Sequence, residues 1–448
     1  MTSSQKFCAL PYKYFFMGGV QMHKILICQK TLEEIKKKIS SPLFTDTFRL
    51  GNHFTRSRKL KMKQVIYYLF YSSKASMNLN ISNIRDDIPK IKFPNVTKQA
   101  VSKARKGIDP KLFKDLYYFS VKTYYKLCKQ RKTWKGFHLF AIDGSCIQVP
   151  KSKDNIEYFG LCKNKFHSRE DAMARVSLLY DLLEDIVVDG SVNDYRYAER
   201  SSAQKHLEYL ETAGLANRAI LLFDRGYPSY DFFKRIAEKE YHYLMRIQGN
   251  VKSLTELDCN DEITNYTPIQ RKGDEPVKVR VVHVTLDDGT DECLVTNLTD
   301  PSITPEMLKE LYFLRWGIES KYFELKNQLE LEEFSGSHHL SVEQDFFINL
   351  LFMNLCSLIK SESDNCITRE LKNKKNKFQY QANRAYIIGR LKKYLVLMLC
   401  GTKQIVSALN QLLEEAIKRR SQIQPNRKCK RPRIQLRHRH LNNRKTCM

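Results

Sequence analysis

The chain has 448 residues, of which 42% are hydrophobic and 11% aromatic, which is enough to bury a sizeable core and excludes a disordered protein. Its 76 Lys and Arg outnumber 49 Asp and Glu and give a net charge of +27, which is typical of a protein that meets a polyanion; nucleic acid is the first candidate and an anionic membrane the second. The 12 cysteines include no C-x-x-C pair, so they indicate reduced thiols in a cytosol-like compartment rather than a zinc module or a disulfide framework.

The first predicted region is helical and basic and covers residues 1–135. Between Asp46 and Asp86 the chain has no acidic residue, and the segment RSRKLKMKQVIYYLFY passes from a basic run into an apolar helix. Thr97 is placed to cap a short basic helix that ends near Gly107. Such helices favour a helix-turn-helix-like DNA-binding unit, although ordinary solvated helices of a basic protein explain the pattern equally well.

An α/β pattern follows, beginning at residue 136. The segments FHLFAIDGSCIQVP, AMARVSLLYDLL and EDIVVDGSV predict three strands, of which the last two pair and the first ends in a turn after Asp143. Next come a helix ending at Gly214, a strand ending at Asp224, a helix capped by Ser229, and the strand YHYLMRI. This order predicts a mixed sheet. Open α/β sheets bind ligands where strands give way to loops, which is where both Asp residues fall, although a turn-capping role explains either one alone.

A β-rich insertion is predicted at about 250–305, with a hairpin turn at Asp288-Gly289, inside a domain that covers residues 136–340. Residues 341–417 then read as helices. Their most apolar stretch is interrupted by polar residues and is too short to span a bilayer, so no membrane partner is expected. Residues 418–448 contain 12 Lys or Arg and no acid, and they are predicted to be a disordered basic tail.

One helical stretch after the insertion, YFLRWGIESKYFELK, places four chemically distinctive side chains on one stripe. At 100° per residue they project within an arc of about 60°; they are Tyr312, Arg315, Glu319 and Lys326. An apolar stripe beside them anchors the helix and consists of Leu311, Leu314, Ile318 and Leu325. One carboxylate among cations suits a metal ligand with a polyanionic substrate, whereas an ordinary amphipathic helix with a solvated charged face has the same pattern.

Asp143, Asp224 and Glu319 are therefore the candidate catalytic and metal-binding acids. Converging carboxylates repel each other unless a cation neutralises them, and Mg²⁺, or Mn²⁺ in its place, is the natural match for oxygen ligands. Two such ions about 3.5–4 Å apart can activate a water or a 3′-hydroxyl and stabilise the leaving oxygen of a phosphodiester.

With these blocks in place, the chain resembles the DDE transposases of the IS-four family of bacterial insertion sequences. The Tyr-x2-Arg-x3-Glu-x6-Lys pattern at 312–326 is similar to that family's YREK signature, and Ile142–Ser145 and Phe223–Tyr227 are similar to its two acidic blocks. Segments near residues 54–70 and 97–108, and the later EFSG and QDF, are similar to its flanking blocks, so the resemblance covers roughly residues 45–360.

The resemblance implies an RNase H-like catalytic core with a β-rich insertion, flanked by N-terminal and C-terminal helical regions. It implies two Mg²⁺ ions, with Asp143 bridging them while Asp224 and Glu319 each hold one. It also implies metal-dependent excision and strand transfer of an insertion sequence, that is, cut-and-paste transposition. The DNA partners are then double-stranded element ends and target DNA, held by a homodimer in the synaptic complex. The expected location is the bacterial cytoplasm, in association with the nucleoid.

The same resemblance assigns DNA contacts. Tyr312, Arg315 and Lys326 are expected to hold the DNA end and its phosphates, and Arg225 to add a phosphate contact. Trp316 is expected to stack on an unpaired base, unless it is a core or hinge aromatic. Two alternative functions remain open: an RNase H-like nuclease without strand transfer, and a catalytically inactive or co-opted DNA-binding protein derived from a transposase.

Overall fold

The computed structural model describes residues 24–424, apart from residues 57, 73–74, 164–169, 240, 249–250, 258–259 and 288. In chain order the helices are α1 (Lys24–Ser40), α2 (Pro42–Thr47), α3 (Met62–Tyr71), α4 (Met77–Asp87), α5 (Lys98–Arg105), α6 (Lys111–Leu127), α7 (Lys153–Phe159), α8 (Glu199–Thr212), α9 (Tyr230–Ala237), α10 (Lys252–Thr255), α11 (Pro305–Phe313), α12 (Trp316–Phe323), α13 (His339–Leu371), α14 (Arg384–Leu399) and α15 (Ile405–Lys418). The strands are β1 (His138–Gln148), β2 (Leu161–Lys163), β3 (Glu170–Asp181), β4 (Ile186–Asp194), β5 (Ala219–Phe223), β6 (His242–Ile247), β7 (Asp261–Tyr266), β8 (Val277–Thr285), β9 (Asp291–Thr296), β10 (Gln379–Ala382) and β11 (Arg420–Ile423).

Two helix starts are fixed by the side-chain caps that the sequence predicts. The Thr97 hydroxyl accepts a hydrogen bond from the Ala100 amide at 3.3 Å, and the Ser229 hydroxyl accepts one from the Phe232 amide at 3.3 Å. Amides in the first turn of a helix have no partner within the helix, so each cap satisfies a donor that would otherwise be unpaired. Both predicted caps are confirmed.

The described residues form two compact units. The first takes in the residues up to Gln130, Ile147–Ala174 and the residues from Glu324 on, and the second takes in Arg131–Cys146 and Arg175–Phe323. In the first unit α13 packs against α1, α6, α14 and α15. Helix α13 is long and apolar enough to cross a membrane, but 89% of its apolar window is buried inside the protein, so it is a core helix.

One cation of the predicted basic helix α5 has a structural role. Arg105 is buried, and its guanidinium forms an ion pair with Asp345 at 2.6 Å and bonds to Gln344 and to the Ser341 carbonyl on α13. A guanidinium presents several donors in a fixed geometry, and here they tie α5 to α13 within the first unit. Arg105 is therefore not part of the exposed basic surface of α5.

In the second unit the strand order is β4-β3-β1-β5-β6-β9-β8-β7; in the first unit, β2 pairs antiparallel with the start of β3. Strands β1, β5 and β6 are mutually parallel, and β6 pairs antiparallel with β9. Strand β3 runs against β1, because the Leu182 amide donates to the Leu139 carbonyl while the Val149 amide donates to the Ala172 carbonyl. A β3–β4 hairpin beside β1, followed by two parallel strands on its other side, is the RNase H-like order. The predicted α/β fold class is confirmed.

The predicted end of the first strand is wrong. Strand β1 continues through Asp143 to Gln148, where the sequence predicts a turn. Pairing with β5 stops at Ala141, but β3 lies along the opposite edge of β1 and continues beyond that point. A strand remains extended as long as one edge is paired, so the Gly144-Ser145 turn signal is overridden by tertiary pairing.

The predicted β-rich insertion lies between β6 and α11, as expected, and its strands extend the sheet. Strand β9 pairs with β6 from Leu244–Thr296 to Ile247–Cys293, and β8 and β7 follow in antiparallel order. The hairpin joining β8 to β9 is confirmed; Gly289 has φ +82, which glycine adopts without strain, and Asp288 lies outside the described residues.

The predicted single helix from Tyr312 to Lys326 is also wrong. Helix α11 ends at Phe313, α12 begins at Trp316, and a π-helical turn, Glu324–Gln328, follows. Around the junction the amides of Leu314, Arg315, Gly317 and Ile318 bond to carbonyls three residues earlier. Such bonds tighten the helix to about three residues per turn, whereas the π-turn widens it, so one 100° wheel does not describe the stretch.

The predicted basic tail begins too early. Lys418 ends α15, and Arg420–Ile423 form β11, which pairs antiparallel with β10. Arg420 also forms an ion pair with Glu370 at 3.4 Å. Backbone pairing fixes these residues despite their basic composition. The rest of the predicted tail, residues 425–448, lies outside the described residues, as do residues 1–23 of the predicted N-terminal region.

Candidate active site

Asp143 and Asp224 occupy equivalent positions on two neighbouring parallel strands. Paired residues of β1 and β5 differ by 81 in number, from His138 with Ala219 to Ala141 with Leu222, and the two acids differ by the same 81. Both lie two residues beyond the last pair, at the carboxyl end of β5. The register of the sheet therefore brings the two carboxylates together at the edge where α/β sheets bind ligands.

Glu319 lies on α12, and three contacts hold this helix against β1 and the β3–β4 hairpin. The Tyr322 hydroxyl donates to the Asp143 backbone carbonyl at 2.7 Å. The buried Lys321 ammonium forms an ion pair with Asp185 at 2.8 Å. A Cβ on Gly317 would lie 2.9 Å from the Leu182 side chain, so the absence of a side chain lets the helix approach closely. The backbone thus fixes the third acid near the first.

The electrostatics show that the three acids share one environment. The pKa of Asp143 is raised to about 7. Burial is the largest cause, the Arg315 guanidinium and the Gly144 amide oppose it, and the charges of Asp224 and Glu319 add to it. The Gly144 amide donates to Asp143 Oδ1 at 2.9 Å. A buried carboxylate beside two others is ionised reluctantly until a cation joins the cluster.

Arg315 is the cation that the structure places within this acidic cluster. Its guanidinium is 4% exposed and donates from Nη2 to Glu319 Oε1 at 3.1 Å. It also lies over the Trp316 ring at 5.1 Å and the Tyr312 ring at 5.7 Å. The Nε atom is buried and has no hydrogen-bond partner among the described residues. A buried donor without a partner is costly, and an anionic oxygen such as that of a phosphate would satisfy it.

The remaining predicted contacts fall in different places. The Tyr312 hydroxyl donates to Asp224 Oδ1 at 3.4 Å, and burial raises the pKa of Tyr312 well above its usual range. Arg225 is exposed and donates to Gln248 at 3.3 Å. Trp316 is half-buried against Arg315. Lys326 lies in the π-helical turn, which belongs to the first unit. The assigned roles of all four in DNA binding stay predictions.

Sequence reasoning missed a fourth carboxylate beside the acids. Glu199 lies at the start of α8 and is paired with Arg175. Its carboxylate oxygens lie 3.3 Å from where a Cβ of Gly144 would be and 3.5 Å from where a Cβ of Gly226 would be. Because Gly144 and Gly226 have no side chain, they leave room for the Glu199 carboxylate. Sequence reasoning also missed Tyr322, although it lies one helical turn after Glu319 and so shares its face.

The three acids have the chemistry of a divalent-cation site. Three carboxylates and one guanidinium leave an excess of negative charge at a partly buried site, and burial, with a smaller contribution from Asp224 and Glu319, raises the pKa of Asp143. Carboxylate oxygens are the ligands that hard divalent cations prefer. The donor set and the charge therefore suit a divalent cation, but among the described residues only Asp154, His338 and His339 form a group whose ligand atoms all lie within 4.8 Å of one another.

A second cluster in the first unit is better explained as a helix cap. Asp154, His338 and His339 have ligand atoms within 4.8 Å of one another. Asp154 accepts a hydrogen bond from the His339 amide at 2.6 Å, at the N-terminus of α13, and Asp154 itself lies in the first turn of α7. The positive ends of two helix dipoles favour a carboxylate there and oppose a cation.

Comparisons with known proteins agree with this geometry. The family described as a transposase DDE domain matches residues 134–355, a span that includes all three acids and the residues Tyr312, Arg315 and Lys326. No curated protein matches the chain. Among solved structures, the cryo-EM structure of the piggyBac transposase synaptic complex with hairpin DNA is 11% identical, with 89% of this chain and 85% of that chain covered and a TM-score of 0.47. A similarity at that level is too low to assign fold or function.

Three observations therefore agree. The sheet has the strand order of an RNase H-like core, three acids lie at its ligand-binding edge, and the transposase DDE domain family matches the residues 134–355 that contain these acids. Enzymes of this class act on DNA and depend on a divalent metal. The chain carries a transposase DDE domain, matched over residues 134–355, and is a DNA transposase.

Proposed function

We propose that this transposase excises and inserts a bacterial insertion sequence of the IS-four kind by cut-and-paste transposition. The observation that carries the proposal is the acidic cluster itself. Asp143, Asp224 and Glu319 surround a buried guanidinium whose Nε lacks a partner among the described residues. That arrangement has sites for cations on its carboxylates and for a phosphate on Arg315, which are the two groups that phosphodiester chemistry requires.

Two Mg²⁺ ions, or Mn²⁺ ions, are proposed as the cofactors. When bound, they supply Lewis-acid activation of a water or 3′-hydroxyl and stabilise the leaving oxygen. Asp143 would bridge both ions, as the family resemblance implies, and the charges of both other acids raise its pKa. Asp224 and Glu319 would each hold one. The Gly144 amide bond to Asp143 Oδ1 fixes the orientation of the bridging carboxylate.

The DNA contacts follow from the same residues. Arg315 would bind a phosphate of the element end through its unpaired Nε while its Nη2 holds Glu319 in place. Tyr312, Lys326 and the exposed Arg225 would contact further phosphates. Trp316, which stacks on Arg315, would present its other face to an unpaired base. Two copies of the chain would pair the two element ends, in a bacterial cytoplasm beside the nucleoid.

The decisive experiment replaces each acid. Asp143→Ala, Asp224→Ala and Glu319→Ala should each abolish Mg²⁺-dependent cleavage of DNA that carries the sequences flanking the reading frame, while binding of that DNA stays nearly intact. Glu208→Ala is the matched control, because Glu208 is an exposed acid of the second unit that pairs only at the surface with Arg235. Near wild-type cleavage by any of the three variants would remove that residue from the metal site.

Strand transfer needs its own assay. A cut 3′ end supplied with target plasmid should yield a joined product in the presence of Mg²⁺. Cleavage without joining would favour the nuclease alternative. Specific DNA binding without any metal-dependent nicking would favour a co-opted DNA-binding protein.

A further inference from the structure

Two hydroxyl groups converge on the backbone carbonyl of Asp143. The Tyr322 hydroxyl donates to this oxygen at 2.7 Å, and the Ser177 hydroxyl donates to it at 3.2 Å. Both side chains are buried in the second unit. A carbonyl oxygen has two lone pairs, so two donors from different elements fix the direction of the peptide that carries the first acid.

A buried polar chain lies behind Ser177. His206 on α8 has Nε2 at 2.9 Å from the Ser177 hydroxyl and Nδ1 at 2.7 Å from Asp189 Oδ2 on β4. All three side chains are buried, and the Gly190 amide donates to the other carboxylate oxygen, Asp189 Oδ1, at 2.8 Å. Ser177 has one hydroxyl proton, which can go to the Asp143 carbonyl only when His206 Nε2 donates to Ser177. Because Nδ1 faces the Asp189 carboxylate, this direction requires a proton on both ring nitrogens of His206. The chain therefore runs Asp189, His206, Ser177, Asp143 carbonyl.

Tyr322 makes the other hydrogen bond to the Asp143 carbonyl, from helix α12. It lies one turn after Glu319 on α12, so its bond to the Asp143 carbonyl joins the helix of the third acid to the strand of the first. The partner is a carbonyl oxygen, which can only accept, so the Tyr322 hydroxyl is the donor. Tyr322 and the Ser177 chain are buried and bond to the Asp143 backbone carbonyl, so both act through Asp143.

We propose that Tyr322 and the Ser177–His206–Asp189 chain are positioning residues that set the separation of Asp143 and Glu319 and thereby the affinity of the metal site. The inference rests on the proposed function, because it assumes that these acids bind the cations. Groups that orient metal ligands from outside typically contribute about 10–100-fold in metal affinity or activity.

The test compares single-group variants with matched controls. Tyr322→Phe and Ser177→Ala each remove one donor to the Asp143 carbonyl. Tyr243→Phe and Ser202→Ala remove buried hydroxyls of the second unit that have no hydrogen-bond partner among the described residues. Ser177→Thr keeps the hydroxyl and is the rescue variant. Mn²⁺ binding to the full-length chain without DNA is measured by electron paramagnetic resonance, and the Mn²⁺ concentration that gives half-maximal cleavage is measured in parallel.

Tyr322→Phe and Ser177→Ala should bind Mn²⁺ about 10-fold more weakly and need correspondingly more Mn²⁺ for cleavage. Ser177→Thr and both controls should stay near wild type. A merely structural role would lower the thermal midpoint of unfolding and leave Mn²⁺ affinity unchanged, and that result overturns the inference. Asp143→Ala separates the two hypotheses: if it binds Mn²⁺ like wild type, the proposed metal site fails as well; if it loses Mn²⁺ while Tyr322→Phe keeps it, only the positioning role fails.

Discussion

At the scale of single residues, Arg315 links the acids to the substrate. Its guanidinium lies among the acids with one bond to Glu319 and one buried nitrogen that lacks a partner among the described residues. Arg315→Ala should lower the cleavage rate by about 100-fold, because a preorganised donor of this kind contributes about 10²–10³ to catalysis. Arg315→Lys should restore little, because an ammonium cannot reproduce the planar fork.

Arg280→Ala is the matched control for Arg315. Arg280 is equally buried, at 4% exposed, and is paired with Asp261 at 2.6 Å between β8 and β7. Its removal should destabilise the fold without a specific effect on the metal dependence of cleavage. If activity falls in proportion to stability in both variants, an active-site role for Arg315 is contradicted.

Asp143 gives a second prediction at this scale, which concerns pH. Without metal its folded-state pKa is raised to about 7, above the ordinary value of 3.8, so the folded protein holds a proton there that the unfolded chain releases. Stability from this residue is therefore full below about pH 4 and is lost as the pH rises to about 7. In EDTA, Asp143→Asn should be more stable than wild type at pH 8, on the order of a few kcal/mol, and similar at pH 4.

Denaturant unfolding at the two pH values measures this difference. The Glu208→Ala variant, with its exposed side chain, controls for general charge effects. A wild-type advantage at pH 8 in EDTA would show that Asp143 is already balanced by the protein. Saturating Mn²⁺ should reverse the order, because a ligand that binds only the folded wild-type site stabilises it by mass action.

At the scale of elements, the position of α12 governs the site. A uniform wheel places Leu314 and Ile318 on one apolar stripe, but the tightened turn before α12 separates them: Ile318 is fully buried and Leu314 is half-buried. Ile318→Ala should cost about 2–5 kcal/mol of unfolding free energy, as expected for a large-to-small change in a core. Leu314→Ala should cost clearly less.

Thermal and urea unfolding of the two alanine variants measures the contrast. Leu311→Ala, which truncates a fully buried residue on α11, calibrates the cost on the neighbouring helix. Equal costs at 314 and 318 would show that the two residues share one face after all and that the helix continues through the junction.

Helix caps, strand register and the turn before α12 differ in how far they can be predicted from the sequence. Caps depend on a few neighbouring atoms, so Thr97 and Ser229 are readable directly. The register of β1 and β5 is implicit in the common offset of the two acids. The continuation of β1 depends on pairing with β3, and the tightened turn before α12 depends on the contact of Gly317 with Leu182. Such tertiary contacts override local propensity, and a single sequence does not display them.

At the scale of the whole molecule, the two units are discontinuous in sequence. The second unit takes in Arg131–Cys146 and Arg175–Phe323, and the intervening segment belongs to the first. Two of the four boundaries fall within β1 and β3, and the other two fall before β1 and at the end of α12. Composition shifts mark linkers between consecutive domains. No composition shift marks a boundary that falls inside a continuous strand. The predicted domain boundaries at 135 and 340 stay predictions.

The net charge of +27 is another property of the whole chain, and the C-terminal segment is rich in the positive residues that produce it. Residues 425–448 contain nine Lys or Arg and no acid, whereas β11 just before them is paired with β10. Truncation after Gln424 should therefore keep the fold and lower affinity for any duplex, because cations bind phosphates by counterion release. The slope of log affinity against log salt should shrink by about 0.9 for each phosphate that the truncated protein no longer neutralises.

Preference for element-end DNA over scrambled DNA should survive the truncation, because phosphate contacts position the protein without reading sequence. A full-length variant with the nine cations changed to Gln should behave like the truncation, and one with Arg and Lys exchanged should behave like wild type. Titrations at several salt concentrations with both duplexes separate the possibilities. A loss of discrimination with an unchanged salt slope would mean that the segment reads sequence within the end complex, because only a base-specific contact lowers affinity for one duplex without changing the number of ions released.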